Sequence, residues 1–391
     1  EKPKKKIKPL AIIIPVVAVI LAAAIALTIV FWPDKSEKTE EAGNSKTEET
    51  SDNEENTNTK EKEYFASKII YMDYDEDGNE RSRTTHVYYD NQNLESEIYE
   101  YQGNITNETV YERDDQGRVT KITSKSKDGT YIYVFSDYVE ENGIYVAEAE
   151  CEYDNHINRF RYGYKDGKMY IEEYFYDGMP AYSYIREGNT ITYKEYDNGE
   201  LSIVITEELD DNDNTVSTSY EHRSYTEDNY GETRKYDKNG NLIELIRTDY
   251  KGKFEYKEVR EFDENNNCIY YAEYDVDGLA YERKAKFDEH SICIESKYTD
   301  EDGAEKVQTK LRSQSENQVI VEEYFSTGEM DSYTEYTIED GKLIESKTYS
   351  GETDELRTIE CYNEQGLLET YSSYYNGELS SKTVFEYSEI K

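Results

Sequence analysis

Apolar and polar residues alternate with a period of two along most of the chain after residue 63. Between residues 144 and 153, one set of alternate positions is aromatic or small and the other is mostly glutamate: Tyr145, Ala147, Ala149, Cys151 and Tyr153 against Glu148, Glu150 and Glu152. Phe160, Tyr162 and Tyr164 then alternate with arginine or glycine. A period of two is typical of β-strands that bury one face and expose the other to water.

Short polar phrases containing Gly or Asn separate these runs. In the phrase YDKNGNL at residues 236–242, an aromatic residue ends one run, the polar cluster reverses the backbone, and a new run begins. About 25 such turn signals occur, or roughly one every 12 residues, which is typical of short strands in hairpins. An open sheet of so many strands exceeds the usual limit of about 10. The pattern therefore predicts an all-β fold in residues 64–391, an array of repeated antiparallel β-hairpins that forms an extended, curled sheet or a coil.

Tyr-Asp pairs recur in this region with continuations similar to Gly-Asn-Leu, and they begin at Tyr74, Tyr89, Tyr153, Tyr176, Tyr196, Tyr236 and Tyr274. These pairs resemble the YD repeats of the RHS family. Phrases such as YDNGEL at 196–201 and YNGEL at 375–379 look like the MORN-variant repeats of bacterial surface proteins and antitoxin-like proteins. Either resemblance covers residues 64–391 and implies β-hairpin repeats in a bacterial surface protein that acts by interaction. It implies no catalytic residue.

A basic segment and a long apolar run precede the repeats. Residues 1–9 contain five lysines, and residues 10–32 form an uncharged run that is almost entirely apolar. A helix of that length spans about 34 Å, slightly more than the roughly 30 Å of a bilayer core. The pattern predicts one transmembrane α-helix at residues 10–32. The lysines place residues 1–9 in the cytoplasm and the rest of the chain outside the cell, because positively charged flanks stay on the cytoplasmic side.

A cleaved signal peptide is the alternative for this run, since Ala24-Ile25-Ala26 is similar to a cleavage site. The run is longer than the apolar part of a signal peptide, which favours the membrane anchor. Residues 33–63 are rich in Glu, Lys, Ser, Thr and Asn and contain no aromatic residue, so they are predicted to be a disordered acidic tether. The chain is thus expected to be a single-pass protein of the cell membrane with an extracellular C-terminal region.

The charge balance narrows the range of partners. The chain has 87 acidic and 45 basic residues and a formal net charge of −42. Such a charge repels nucleic acid and anionic lipid surfaces, so the repeat region is not expected to bind either. All 42 tyrosines lie after residue 63, whereas the hydrophobic fraction is only 36%. Aromatic faces are therefore expected to supply most of the burial in a thin structure.

The sharpest candidate for a ligand site is the start of a calcium loop. Asp73, Asp75 and Asp77 alternate and are followed by Gly78, and alternate carboxylates in one tight loop are ligands that calcium needs. The closing acidic ligand of such a loop is missing, because Thr84 occupies its position. Asp and Gly are also ordinary turn formers. Calcium binding at the three aspartates is therefore one interpretation and turn formation is the other, and no other cofactor is predicted.

Catalytic signatures are absent from the sequence. His86, His156, His222 and His290 are widely separated and are interpreted as turn or surface residues. No metalloprotease, nucleophile-elbow, phosphate-loop or paired-cysteine motif occurs. The sequence therefore does not predict an enzyme.

Cys151, Cys268, Cys293 and Cys361 would face an oxidising exterior, where an even number of cysteines permits disulfides. Cys268 and Cys293 occupy matching places two strands apart. In a simple meander they would be separated by about 9.6 Å, beyond the roughly 7 Å limit for a bridge. In a coil with two strands per turn they would stack at about 4.8 Å and could bond. Free, buried thiols are the preferred interpretation.

The leading functional hypothesis is a cell-surface binding module. Its tyrosine-lined faces would contact a protein or a cell-wall glycan, because aromatic rings contact sugars and peptides at low entropic cost. The alternative is a passive spacer whose tyrosine rows are only its thin core, and an enzyme ranks third.

Overall fold

The computed structural model describes residues 64–89, 92–153, 155–299 and 303–390. This part of the chain is all-β, and its first fourteen strands are β1 (Tyr64–Tyr74), β2 (Glu80–Tyr88), β3 (Leu94–Tyr101), β4 (Asn104–Arg113), β5 (Val119–Ser126), β6 (Gly129–Val134), β7 (Val139–Glu141), β8 (Ile144–Tyr153), β9 (His156–Lys165), β10 (Lys168–Tyr176), β11 (Met179–Glu187), β12 (Thr190–Asp197), β13 (Glu200–Leu209) and β14 (Thr215–His222). A single turn of 3-10 helix follows at Thr226–Asp228. The remaining thirteen strands are β15 (Tyr230–Tyr236), β16 (Leu242–Asp249), β17 (Phe254–Phe262), β18 (Cys268–Asp275), β19 (Gly278–Phe287), β20 (Cys293–Thr299), β21 (Glu305–Ser315), β22 (Gln318–Tyr324), β23 (Met330–Glu339), β24 (Lys342–Ser350), β25 (Leu356–Tyr362), β26 (Leu368–Tyr375) and β27 (Glu378–Glu389).

Consecutive strands pair antiparallel, as the hairpin prediction requires. The pairing is continuous from β1 to β6 and again from β7 to β27. Within the described ranges the ladder is interrupted between β6 and β7, so the sheet is not closed. β1 also pairs with β27, where the Ser67 hydroxyl donates to the Glu386 carbonyl at 3.1 Å. The predicted antiparallel hairpin array is confirmed, in the form of a meander.

The predicted segments before residue 64 lie outside the described residues. They are the cytoplasmic flank at 1–9, the transmembrane helix at 10–32 and the acidic tether at 33–63. In the part of the chain that the structure describes, no helix has the length and apolar character needed to span a bilayer.

Several of the tightest turns use Asn-Gly pairs, and others have Asp or Gln before the glycine. Asn198 and Gly199 adopt φ values of 51° and 83°, and Asn376 and Gly377 adopt 51° and 79°. Two successive residues in the left-handed region are the mark of a type I′ turn, whose twist matches that of the flanking strands. Asn and Gly tolerate this conformation better than other residues, which explains their place in the turn phrases.

The longer turns are built on a side-chain oxygen. Asp237 Oδ1 accepts the backbone N–H groups of Asn239 and Asn241 at 2.8 and 2.9 Å. The corresponding two bonds recur at Asp75, Asp114, Asp210, Asp249, Asp263, Asp288 and Asn363. This side-chain oxygen therefore forms the turn with or without glycine, since the turns that begin at Asp210, Asp263 and Asp288 contain none.

The larger hydrophobic cluster is built on aromatic rings. Ala147 and Ala149 of β8 lie opposite Tyr162 and Phe160 of β9, and the small side chains leave room for rings from the segment before β8. The ring pairs that meet there are Tyr133 with Phe160, Phe135 with Tyr162 and Tyr138 with Tyr164, with centroids 4.9, 4.8 and 5.8 Å apart. Alternating small and large residues across a strand pair allow this interdigitation.

This cluster also joins strands that do not pair. It contains Val119 and Ile122 of β5 together with Tyr162 and Tyr164 of β9. Contacts between the faces of strands this far apart in the meander require the sheet to bend, so the sheet curls back on itself in this region.

The second cluster is smaller and aliphatic, and consists of Ile292, Val319, Val321 and Ile338. Several other buried positions are polar, and the Ser296 hydroxyl donates to Thr309 Oγ1 at 2.8 Å with both residues buried. Small aliphatic clusters and hydrogen-bonded polar positions agree with the low hydrophobic fraction and with the thin structure expected from it.

A glutamate lies within the aromatic region. Glu172 of β10 is the register partner of Tyr162 on β9 and of Tyr184 on β11. Burial raises the pKa of Glu172 to about 7, and a hydrogen bond with Tyr162 opposes part of this rise. The folded protein therefore holds a proton at Glu172 over a pH range in which an exposed glutamate has lost it.

Two expectations about single residues need correction. His86 is not a surface residue, because it lies within β2 on the covered side of the strand with 7% exposure, its ring centroid 5.8 Å from that of Tyr71. The four cysteines are free thiols as expected, but they are half-buried rather than buried. β19 separates Cys268 from Cys293, as the meander requires, and a thin sheet covers neither thiol fully.

Asp237→Ala removes the acceptor of two turn N–H groups, and we expect it to lower the free energy of unfolding by about 1–2 kcal/mol. Asp237→Asn should cost less than about 0.5 kcal/mol, because Asn363 makes the same two bonds in its own turn. Lys238→Ala in the same turn is the matched control. Urea unfolding followed by circular dichroism measures the three values, and equal losses for the Ala and Asn variants would contradict the role of the side-chain oxygen.

Glu172→Gln should make the protein more stable than the wild type at neutral and higher pH. The folded-state pKa is raised from 4.5 to about 7, so the wild type loses stability as the pH rises through this interval while the unfolded state ionises freely. The relative gain of the variant should grow across the interval to at most about 3 kcal/mol. Glu200→Gln, at an exposed position of β13, should show no such growth in denaturant titrations repeated at several pH values.

Candidate functional site

Several tyrosine hydroxyls donate to glutamates two residues away on the same strand. The pairs are Tyr256 with Glu258, Tyr271 with Glu273, Tyr324 with Glu322 and Tyr362 with Glu360, at 2.8, 2.5, 2.6 and 2.6 Å. Burial raises the pKa of Tyr256 to about 12, and the charge of Glu258 adds to the rise. These hydroxyls therefore stay protonated at neutral pH, and the four glutamates are already engaged.

An open pocket of about 400 Å³ lies over β17, β18, β19 and β21. We name it the arginine–tyrosine pocket, and its lining residues are Arg260, Phe262, Cys268, Tyr271, Tyr281, Arg283 and Gln308. Tyr271 is the register partner of both Arg260 and Arg283, so the three side chains form one row across three strands and share one face of the sheet. Burial raises the pKa of the Cys268 thiol, which keeps this lining group neutral.

Aromatic rings form a continuous surface at this pocket. The guanidinium carbon of Arg260 lies 5.5 Å from the ring centroid of Tyr271, within cation–π range. The rings of Tyr271 and Tyr281 meet edge to face at 6.0 Å, and Tyr281 stacks on Tyr298 at 5.6 Å. The surface therefore extends over β18, β19 and β20.

The two arginines of the pocket have different partners. Arg260 Nη2 donates to Glu258 Oε2 at 2.5 Å. For Arg283 the described residues supply no carboxylate partner, and its Nη2 makes a long contact of 3.8 Å with Cys293 Sγ. The Nε atoms of both arginines are buried and have no hydrogen-bond partner within the described ranges. Since a guanidinium carries five N–H donors, Arg283 has donors that the described residues do not use.

A buried glutamate on β15 shows the contrasting arrangement. Glu232 is 5% exposed, and its two carboxylate oxygens accept from Arg234 and Arg247, each at 2.5 Å. The guanidinium carbon of Arg247 also lies 4.5 Å from the ring centroid of Tyr230. Arg283 therefore has aromatic neighbours, as Arg247 has, but it has no carboxylate partner among the described residues.

A second pocket of about 230 Å³ is lined by residues of β19 to β21, among them the lysines that alternate with Arg283 along β19. Its charges are paired within the protein: Lys284 with Glu282, Lys286 with Glu295, and Lys297 with Glu305, at 3.1, 2.8 and 2.9 Å. Because its lysines are neutralised by neighbouring glutamates, this pocket is a weaker candidate for binding a charged ligand.

The three aspartates of the predicted calcium loop take part in the first hairpin. Asp73 Oδ2 accepts from the Ser82 hydroxyl at 2.9 Å. Asp75 Oδ1 accepts the backbone N–H groups of Asp77 and Asn79, and the Asn79 bond is the main cause that lowers the pKa of Asp75. In the described part of the chain, no group of three or more His, Cys, Asp or Glu side chains converges as a metal site. The turn role of Asp75 is thus clear, and calcium binding stays a prediction.

Two of the widely separated histidines have defined partners. His156 Nδ1 lies 2.6 Å from Asp177 Oδ2, and the His156 ring stacks on Tyr176 at 5.0 Å. This hydrogen bond is the main cause that lowers the pKa of Asp177. His222 Nδ1 accepts the backbone N–H of Ser224 at 3.1 Å. Both histidines therefore hold turns in place.

Sequence reasoning did not find the arginine–tyrosine pocket. Arg260, Tyr271 and Arg283 belong to no short motif, and only the register of two hairpins brings them into one row. One signal was available, because each arginine stands two residues from an aromatic residue, Phe262 or Tyr281, and therefore on the same face.

No protein-family model and no curated protein matches the sequence. Solved structures match over most of the chain at low similarity. A porin-like protein from Bacteroides uniformis is 8% identical, with a TM-score of 0.29 over 83% of this chain and 98% of that one. A TcdB2–TccC3 structure is 12% identical, with a TM-score of 0.27 over 81% of this chain and 20% of that one.

The Tc holotoxin pore of Photorhabdus luminescens is 11% identical, with a TM-score of 0.17 over 78% of this chain and 22% of that one. The chain thus spans about a fifth of the toxin chains that it matches. At scores this low, the similarities carry no argument about what the protein does.

Proposed function

We propose that residues 64–391 are the extracellular binding region of a membrane-anchored bacterial surface protein, in which the YD- and MORN-like phrases are the hairpin units. Residues 10–32 would anchor the chain and residues 33–63 would hold the binding region away from the lipid. The bound partner would be a cell-wall glycan or a protein that contacts the tyrosine-rich face.

The observation that supports binding most directly is the arginine–tyrosine pocket. In a chain with a net charge of −42, carboxylates are abundant, and most arginines could find one. Arg283 nevertheless lies beside Tyr271 and Tyr281 without a carboxylate partner among the described residues. An open aromatic surface with unused donors is typical of a ligand site.

The position of the pocket in the sheet also favours recognition through side chains. β18, β19 and β20 each pair with neighbours on both edges. Their backbone groups are therefore engaged in ladders, and a ligand in the pocket meets side chains, chiefly rings and guanidinium groups. Flat rings suit stacking on sugars or on planar peptide side chains.

The passive spacer is the second candidate, and a specific observation favours it. Several tyrosine hydroxyls bind the backbone of the neighbouring strand, as where Tyr236 donates to the Thr215 carbonyl at 2.9 Å and Tyr387 donates to the Leu368 carbonyl at 2.7 Å. Rings held in this way serve as core rather than as contact surface. Both uses can coexist in one sheet, because they concern different tyrosines.

The binding hypothesis predicts that the full chain is retained by isolated bacterial cell walls or by an immobilised protein partner. Tyr281→Ala should reduce retention several-fold, because it removes the central ring of the pocket surface. Tyr375→Ala, a 74% exposed tyrosine at a turn, is the matched control and should change little. Circular dichroism and thermal melting check that both variants fold.

Retention that is absent for the folded wild type, on cell walls and on lysate proteins alike, would favour the spacer. Anchoring is tested separately by adding protease to intact cells, which should remove the repeat region if it lies outside the membrane. Protection of the repeat region in intact cells would contradict the proposed orientation.

A further inference from the structure

We propose that the arginine–tyrosine pocket binds a sugar that carries an oxyanion, either a carboxylate or a phosphate, with the oxyanion on Arg283 and the sugar ring on the neighbouring tyrosines. The inference rests on the proposed function and specifies the chemistry of its ligand.

The first step is the unsatisfied charge of Arg283. Its Nε is buried without a hydrogen-bond partner in the described part of the chain, and its Nη2 reaches only a thiol sulfur there, at 3.8 Å. A buried N–H donor that has no hydrogen-bond partner is costly. A planar guanidinium matches carboxylate and phosphate oxygens with two parallel hydrogen bonds. An oxyanion of a ligand would therefore supply the hydrogen-bond acceptors that the described residues do not provide for Arg283.

The second step is that the nearby carboxylates are already in use. Glu258 accepts from Arg260 and from the Tyr256 hydroxyl, and Glu273 accepts from the Tyr271 hydroxyl. Neither is free to swing onto Arg283 without giving up its own partner. The fold thus holds the guanidinium of Arg283 available rather than neutralised.

The third step concerns the shape of the ligand. The strands of the pocket are interior strands of the meander, so an extended peptide cannot add to them through backbone hydrogen bonds. The remaining surface is the run of rings from Tyr271 through Tyr281 to Tyr298. A sugar ring can stack on such a surface while its charged group reaches the arginine row.

The fourth step concerns the overall charge. The net charge of −42 opposes the approach of any anion, but exposed charges are largely screened beyond about 8 Å at physiological salt. Binding of an anion therefore has to arise from groups inside the pocket. Converting the anionic group of the ligand to a neutral ester should therefore weaken binding, although the negative field of the whole protein favours the neutral ligand.

The adjacent lysines supply a matched control. Lys284 follows Arg283 in β19, points to the other face, and is paired with Glu282 at 3.1 Å. Arg283→Gln and Lys284→Gln remove one positive charge each from neighbouring positions. They change the net charge equally but affect different pockets, and Lys284→Gln also removes the ion pair with Glu282.

The experiment is calorimetric titration of the full chain with three probes: a galacturonic acid oligomer, the methyl ester of that oligomer, and glucose 6-phosphate. We expect the wild type to bind at least one of the two anionic probes, and the probe that binds identifies the oxyanion. The ester should bind at least about tenfold more weakly than the acid if the carboxylate is recognised. Arg283→Gln should weaken the anionic probe by about tenfold and Lys284→Gln by less than about twofold.

Thermal melting decides whether the variants can be compared. Arg283→Gln should melt at the same temperature as the wild type or above it, because it removes a buried N–H donor that has no partner among the described residues. If it fails to fold, Arg283→Lys keeps the charge and loses the planar fork, and it should still weaken binding several-fold.

Three results would overturn the inference: no binding of either anionic probe, an ester that binds as tightly as the acid, or equal losses for Arg283→Gln and Lys284→Gln. The proposed function fails differently. If the neutral ester binds and Tyr281→Ala abolishes that binding, the oxyanion assignment is wrong but the pocket is still a binding site. If glucose 6-phosphate binds but cell walls do not retain the chain, the proposed cell-wall partner is wrong and the oxyanion assignment stands.

Discussion

Cross-strand register is the constraint on which the rest of this structure depends. The chain has too few aliphatic residues to fill a thick core, so each strand is stabilised by what stands directly opposite it on its neighbours. Ala149 opposite Phe160 leaves space for Tyr133, and a slip of one residue would bring a glutamate into that place. The turns keep the register, through Asn-Gly pairs in some hairpins and through an aspartate oxygen in others.

The same register distributes charge. Glu232 lies between Arg234 and Arg247, and the carboxylates near the pocket accept from tyrosine hydroxyls or from Arg260. A charged side chain that is both buried and paired in this way contributes to the folded structure. Among the described residues Arg283 departs from this pattern, as Arg159 also does. Arg283 differs from Arg159 because it lines an open pocket, and that position is the physical basis for assigning it a role outside the fold.

Tyrosine performs two tasks in this sheet. Rings such as Tyr162 and Tyr164 are buried and replace the aliphatic core that the composition lacks. Rings such as Tyr271 and Tyr281 line an open pocket and leave an aromatic surface beside a cation. A binding region and a spacer would share the first group of tyrosines, so only the second group distinguishes between the two functions.

The sequence by itself determined the local features: strands from the period of two, hairpins from the turn phrases, and a thin aromatic core from the excess of tyrosine over aliphatic residues. These features depend on residues close together in the chain, which is why the pattern predicted them. Tertiary structure decided which faces curl onto each other, that His86 is buried, and that Cys268 and Cys293 lie on either side of β19. It also decided that Arg260 and Arg283 flank Tyr271, because the register of two hairpins brings the three residues into one row. Register depends on contacts between strands rather than on the order of residues within each strand.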